Sequence, residues 1–74
     1  MAKKKDDPDR VMATVRARFE KSSLSLHALG LAMGYPAESA RKSAWQFIAK
    51  TDDPRVSMLR RFARAMNVDV RELL

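Results

Sequence analysis

Between Ser39 and Lys50 the chain reads Ser-Ala-Arg-Lys-Ser-Ala-Trp-Gln-Phe-Ile-Ala-Lys. At about 100° per residue, Ala40, Ala44, Phe47 and Ile48 fall on one side of a helix. Ser39, Lys42, Trp45, Gln46 and Ala49 fall on the other, with Arg41 and Ser43 flanking them. The donors on this second side suit base edges: Arg41 or Lys42 can donate to guanine O6 and N7, and Gln46 can pair with adenine through two hydrogen bonds. Ser39 and the unpaired amides of a helix start suit a phosphate. The competing reading is an ordinary solvated helix face, and the overall charge of the chain weighs against it.

Trp45 is the exception on this face. It projects roughly 115° from the centre of the apolar stripe, too far round for full burial. Packing on Tyr35 and Pro36 is the favoured role, since tryptophan is largely buried on average. Contact with thymine methyls or with a protein partner are the others. His27 is the sole histidine and the chain has no cysteine, so no metal site is expected. Ser22, Ser23 and Ser25 lie near it without an acidic residue placed to complete a catalytic set. A helical chain of this size offers little cavity for a small molecule. Neither enzymatic activity nor a cofactor is expected.

Fifteen Lys and Arg against nine Asp and Glu give a net charge of +6 over 74 residues, which favours an anionic partner, nucleic acid before an anionic membrane. The longest uncharged run, Leu24 to Ala37, is too short for a membrane span and carries glycine and proline. The absence of cysteine fits a reducing, cytoplasmic setting.

These side chains need a scaffold, and the apolar spacing supplies an all-α one. Residues 1–8 read as a polar, disordered tail whose Lys3, Lys4 and Lys5 could reach phosphates as a flexible arm, and residues 9–74 as one domain. Asp9 is the expected cap of a first helix running to Lys21 on Val11, Met12, Val15 and Phe19. Ser25 caps a second, with Leu29, Ala32 and Met33 inward and Gly34 as a left-handed stop before Pro36. Ser39 caps the third. Asp53 and Pro54 start the fourth, with Val56, Leu59, Phe62, Ala63 and Met66 inward and Asn67 as its stop. Asp69 and Glu72 have capping-box spacing for a short fifth helix over 70–74, with Val68, Leu73 and Leu74 closing the core. The expected architecture is a compact bundle of five short helices.

The order of these elements resembles the Cro/phage-repressor (Xre-like, lambda repressor-like) helix-turn-helix family over roughly residues 10–74. Leu24-Ser25, Leu29-Gly30 and Met33-Gly34-Tyr35 look like its second helix and turn. Pro54-Arg55-Val56, Leu59, Phe62-Ala63-Arg64-Ala65-Met66-Asn67-Val68 and Glu72-Leu73-Leu74 look like its closing helices. The chain departs from the pattern in four places. Gly30 replaces an alanine, Leu26 replaces a phosphate-touching glutamine, the turn through Tyr35-Pro36-Ala37-Glu38 is about four residues longer, and an ion pair is replaced at Ile48 and Phe19.

The resemblance implies sequence-specific binding of double-stranded DNA by a small transcriptional regulator. Helix 3, about 39–50, would lie in the major groove, with Arg41, Lys42, Ser43 and Gln46 as base contacts. Ser39, Lys50, Thr51 and Arg55 would contact phosphates. It also implies a homodimer, for which Met66 to Leu74 is the expected surface. The alternative is a protein-interaction module, such as an antiactivator or accessory factor, built on the same scaffold; Trp45 and Leu26 favour it.

Overall fold

The computed structural model describes residues 8–74. Residues 1–7, most of the expected tail, lie outside the described residues. The described chain is all helical. Four α-helices, α1 (Pro8–Lys21), α2 (Leu26–Ala32), α3 (Ala37–Trp45) and α4 (Val56–Met66), are joined by two tighter or wider turns. Gln46–Lys50 continues α3 as a π-helical turn, and Val70–Leu73 is a 3₁₀ turn. The fifth helix is therefore a single 3₁₀ turn rather than an α-helix.

Local chemistry sets most boundaries. Ser22 closes α1, its hydroxyl and amide both donating to the Phe19 carbonyl at 2.6 and 3.1 Å. Ser25 caps α2 by accepting from the Ala28 amide at 3.0 Å. Gly34 (φ 98°) and Asn67 (φ 60°) adopt the left-handed conformation that stops α2 and α4. At the last turn Asp69 accepts from the Arg71 amide while Glu72 accepts from the Asp69 amide, the reciprocal arrangement that their spacing predicts. The Arg71 guanidinium bonded to Asp69, with the Arg71 amide behind it, lowers the carboxyl's pKa. Its contribution to the turn is thus present above the ordinary carboxylate range and is lost as pH falls through the lowered value.

Three helix starts differ from expectation. Pro8 already lies in α1, so Asp9 is inside the helix rather than its cap. Pro36, extended at ψ 152°, caps α3, which places Ala37 and Glu38 in the first turn. The connection from α2 to α3 is then only residues 33–36, so the long turn expected between them does not exist. Arg55, not Asp53, precedes α4; Pro54 stays in the loop, and nothing in the structure explains the later start.

The core joins Val11, Met12 and Val15 of α1 to Leu29 and Met33, to Ala44 and Phe47, to Leu59, Phe62 and Ala63, and to Leu73. The Phe47 and Phe62 rings meet at 5.7 Å, tilted by 45°, a favourable aromatic geometry. Three expected core residues face out: Ala32 is exposed, and Val56 and Leu74 are 59% and 56% exposed. Gly30 is buried in place of Ala32. At the C-terminus Leu73 is buried, and Met66, Val68 and Val70 pack against the core, leaving Leu74 as the exposed apolar residue. The apolar residues of the expected dimer surface are thus partly covered by the core, except Leu74.

Gly30 is the closest point between α2 and α3. A Cβ there would lie 2.7 Å from the Ala40 Cα and nearer still to its carbonyl group. Alanine at position 30 would gain helix propensity, about 1 kcal/mol, but it would have to push two backbones apart. The overpacking term wins: Gly30→Ala is expected to lower the free energy of unfolding by about 1–2 kcal/mol in urea denaturation. Gly34→Ala, with open space around its Cβ but a left-handed backbone, is expected to cost only about 1 kcal/mol.

Candidate nucleic-acid interface

The α2–turn–α3 unit presents one face of α3 outward. Ala40, Ala44 and Phe47 are buried and Ile48 is half-buried, as the stripe requires. Arg41, Lys42, Trp45, Gln46, Ala49 and Lys50 are exposed; Ser39 and Ser43 are half-buried. The four base-contact candidates therefore share one helical surface, with Lys42 and Gln46 at its crest.

Two hollows flank that crest. One, about 350 Å³, is lined by Arg41, Lys42 and Trp45. The other, about 390 Å³, lies between Ser43 and Gln46 on α3, Tyr35 in the turn, and Thr51, Asp53 and Arg55 in the loop before α4. Its wall is braced by Tyr35, whose hydroxyl donates to the Met58 sulfur at 3.4 Å and whose ring lies 5.8 Å from the Arg61 guanidinium. A larger hollow of about 570 Å³ runs beside Ala13 and Ala17, and the described residues that line it all belong to α1.

The phosphate candidates are placed unevenly. Lys50 and Arg55 are exposed. The Ser39 amide donates to the Pro36 carbonyl at 3.0 Å, and its hydroxyl reaches the same oxygen at 3.4 Å. Both groups are engaged within the chain, and Glu38 adds negative charge to the same turn. The Thr51 hydroxyl donates to the Gln46 carbonyl at 3.2 Å, closing the π-turn.

That turn also determines Trp45 and Lys50. In an α-helix, residues five apart project about 140° apart. The i→i+5 bonding of a π-turn brings them towards the same side. The Lys50 ammonium lies 5.4 Å from the centre of the Trp45 ring, within cation–π range. Trp45 is 44% exposed. The indole is thus incompletely buried, as its angular position on the helix requires, and a lysine lies over it.

Arg16 holds the same turn from the opposite side. Its Nε donates to the Ile48 carbonyl at 2.8 Å in a part-buried bond that spans 32 residues of sequence. The residue type and spacing on α1 mark Arg16 only as a polar position, and no local signal identifies its partner. Phe19 and Ile48, where an apolar replacement for the family's ion pair was expected, both pack against the core.

Among the described residues the ion pairs are Arg18–Glu72 at 2.8 Å and Arg71–Asp69 at 3.0 Å. Both lie at the 3₁₀ turn, away from α3. Arg41, Lys42, Lys50 and Arg55 have no ion-pair partner there, nor do Arg60, Arg61 and Arg64 on α4. His27 is exposed, and no cluster of metal-ligating side chains occurs among the described residues. No helix among them is long and apolar enough to cross a membrane. No protein-family model, no curated protein and no solved structure matches this chain.

The Arg16 bond joins a charged donor to a helix-end carbonyl, an interaction worth about 1.5–3 kcal/mol. Arg16→Met keeps the aliphatic stem and removes the donor. It is expected to lower stability by about 1–2 kcal/mol and to speed amide exchange selectively between Gln46 and Thr51.

Proposed function

We propose that the protein binds double-stranded DNA with sequence preference, as a small transcriptional regulator of lambda repressor-like helix-turn-helix architecture acting on DNA in the cytoplasm. The observation that carries this reading is the exposed face of α3, where Arg41, Lys42 and Gln46 stand together without acidic partners among the described residues. Two further features support it. The connection between α2 and α3 is four residues with a left-handed glycine, the length usual for a helix-turn-helix. The unpaired cations continue from α3 into Lys50 and Arg55 along the edge of the same surface, where phosphates would lie on either side of a groove.

In this arrangement α3 enters the major groove. Arg41 or Lys42 donates to guanine, Gln46 pairs with adenine, and Ser43 makes a shorter contact. Lys50 and Arg55 fix the register on the backbone. A homodimer through the C-terminal region would rest on Leu74 and the edges of Met66, Val68 and Val70, a small contact expected to form chiefly on DNA, where two half-sites lie about one turn apart.

The exposed Trp45 favours a second reading, a protein-interaction module on the same scaffold. Salt dependence separates the two. DNA binding through three or four phosphates is expected to give a log–log slope of about −3 to −4, whereas the module would show no retention on genomic DNA at low salt. In an unbiased binding-site selection, Lys42→Ala with Gln46→Ala is expected to abolish sequence preference while leaving the thermal unfolding transition in place. Unchanged preference in the double variant would refute the recognition role of α3.

A further inference from the structure

We propose that Trp45 is a specificity-determining residue that recognises the 5-methyl group of a thymine, within the hollow it forms with Arg41 and Lys42. The inference rests on the DNA-binding reading and adds a base identity to it.

Four observations carry it. First, Trp45 is one of the few large apolar side chains that the described fold leaves exposed, at 44%, and it adjoins the α3 crest. Second, its surroundings are cationic: Arg41 and Lys42 line the hollow beside it, and Lys50 lies over its ring. An apolar protein partner would have to desolvate three cations to reach the indole, a cost that rises steeply without counter-charges. A polyanion that carries small apolar groups supplies the counter-charge and the apolar contact together. In the major groove of B-DNA that apolar group is the thymine methyl.

Third, the indole is pre-oriented. Lys50 reaches it because Gln46–Lys50 is a π-turn, and the Thr51 hydroxyl and the Arg16 side chain hold the carbonyls of that turn. A side chain fixed before binding loses less freedom on contact. Fourth, Arg41 is one helical turn before Trp45, so the two neighbour each other on the α3 surface. A methyl against the indole therefore lies next to a donor suited to guanine, and the favoured step places a thymine beside a guanine. Lys50 is a positioning residue here: it acts through the indole as well as on phosphate.

The test replaces each thymine of a selected site in turn by deoxyuridine, which removes the methyl and leaves every hydrogen-bonding group. For the wild-type protein, one thymine per half-site is expected to show about a three- to fivefold loss of affinity on replacement, the effect of exposing one methyl group. Trp45→Ala is expected to bind the thymine and deoxyuridine sites equally, with its unfolding transition retained because the side chain is exposed. Lys50→Arg is expected to keep the discrimination and Lys50→Ala to reduce it. A site whose thymines can all be replaced without loss in the wild type would overturn this inference alone. Discrimination that persists in Trp45→Ala would assign the methyl contact elsewhere and overturn it too. Failure of the protein to select or retain any DNA would remove the underlying reading together with it.

Discussion

The contact of the Gly30 backbone with the Ala40 backbone is the constraint on which the rest of the structure depends. The two helices touch where neither has a side chain larger than a methyl, and both residues are buried. The Tyr35 amide donates back to the Gly30 carbonyl at 3.0 Å, so the short turn is bonded to the same residue that permits the close approach. A chain of 74 residues cannot surround a large core. Among the described residues the fully buried large side chains are Phe62, Met12, Leu29, Leu73 and Val15. Bringing two backbones together excludes water without requiring further bulk and gives dispersion contacts at close range. It also fixes which side of α3 faces inward, and hence which side carries the cations.

The second constraint is the π-turn at the end of α3. Such turns are uncommon and are often found where a helix serves a site. This one is maintained by groups outside its own backbone. Arg16 arrives from α1 and binds the Ile48 carbonyl, while Thr51 closes the turn on Gln46. Phe47 lies in the core against Phe62, and Lys50 moves round to Trp45. Core packing and surface chemistry meet within five residues: Phe47 is buried in the same turn that places a cation over the exposed indole.

Charge is distributed unequally over the described surface. Glu72 and Asp69 are paired with Arg18 and Arg71 around the 3₁₀ turn. Those pairs are exposed, and exposed pairs add little to stability. Their larger consequence is spatial, because they neutralise one end of the molecule and leave the net positive charge concentrated on α3, α4 and the loop between them. Glu38, Asp52 and Asp53 interrupt that field without forming ion pairs in it. Within a Debye length of about 10 Å at ordinary salt, a polyanion approaching the α3 face meets Arg41, Lys42 and Lys50 together.

Residues whose effect is local were legible in the sequence. Ser25, Gly34, Asn67 and the Asp69–Glu72 pair act on their own backbone within three or four residues, so type and spacing suffice to read them. The buried stripe of α3 was legible for the same reason, since Ala40, Ala44 and Phe47 follow one period. Ser39 misled because it is the usual capping type, yet the extended backbone at Pro36 already starts the helix, and the serine hydroxyl turns back on the proline carbonyl. The apparent long turn followed from that one misplacement. The Arg16 bond and the placement of Lys50 over Trp45 could not be read by such rules. A helical projection assumes 3.6 residues per turn throughout, and at Gln46 the chain leaves that period under the hold of an arginine 32 residues upstream of Ile48. The surface chemistry of α3 is thus set at its start by contacts visible in sequence and at its end by one that only the folded chain brings together. It is at that end that Trp45 comes to lie exposed among cations.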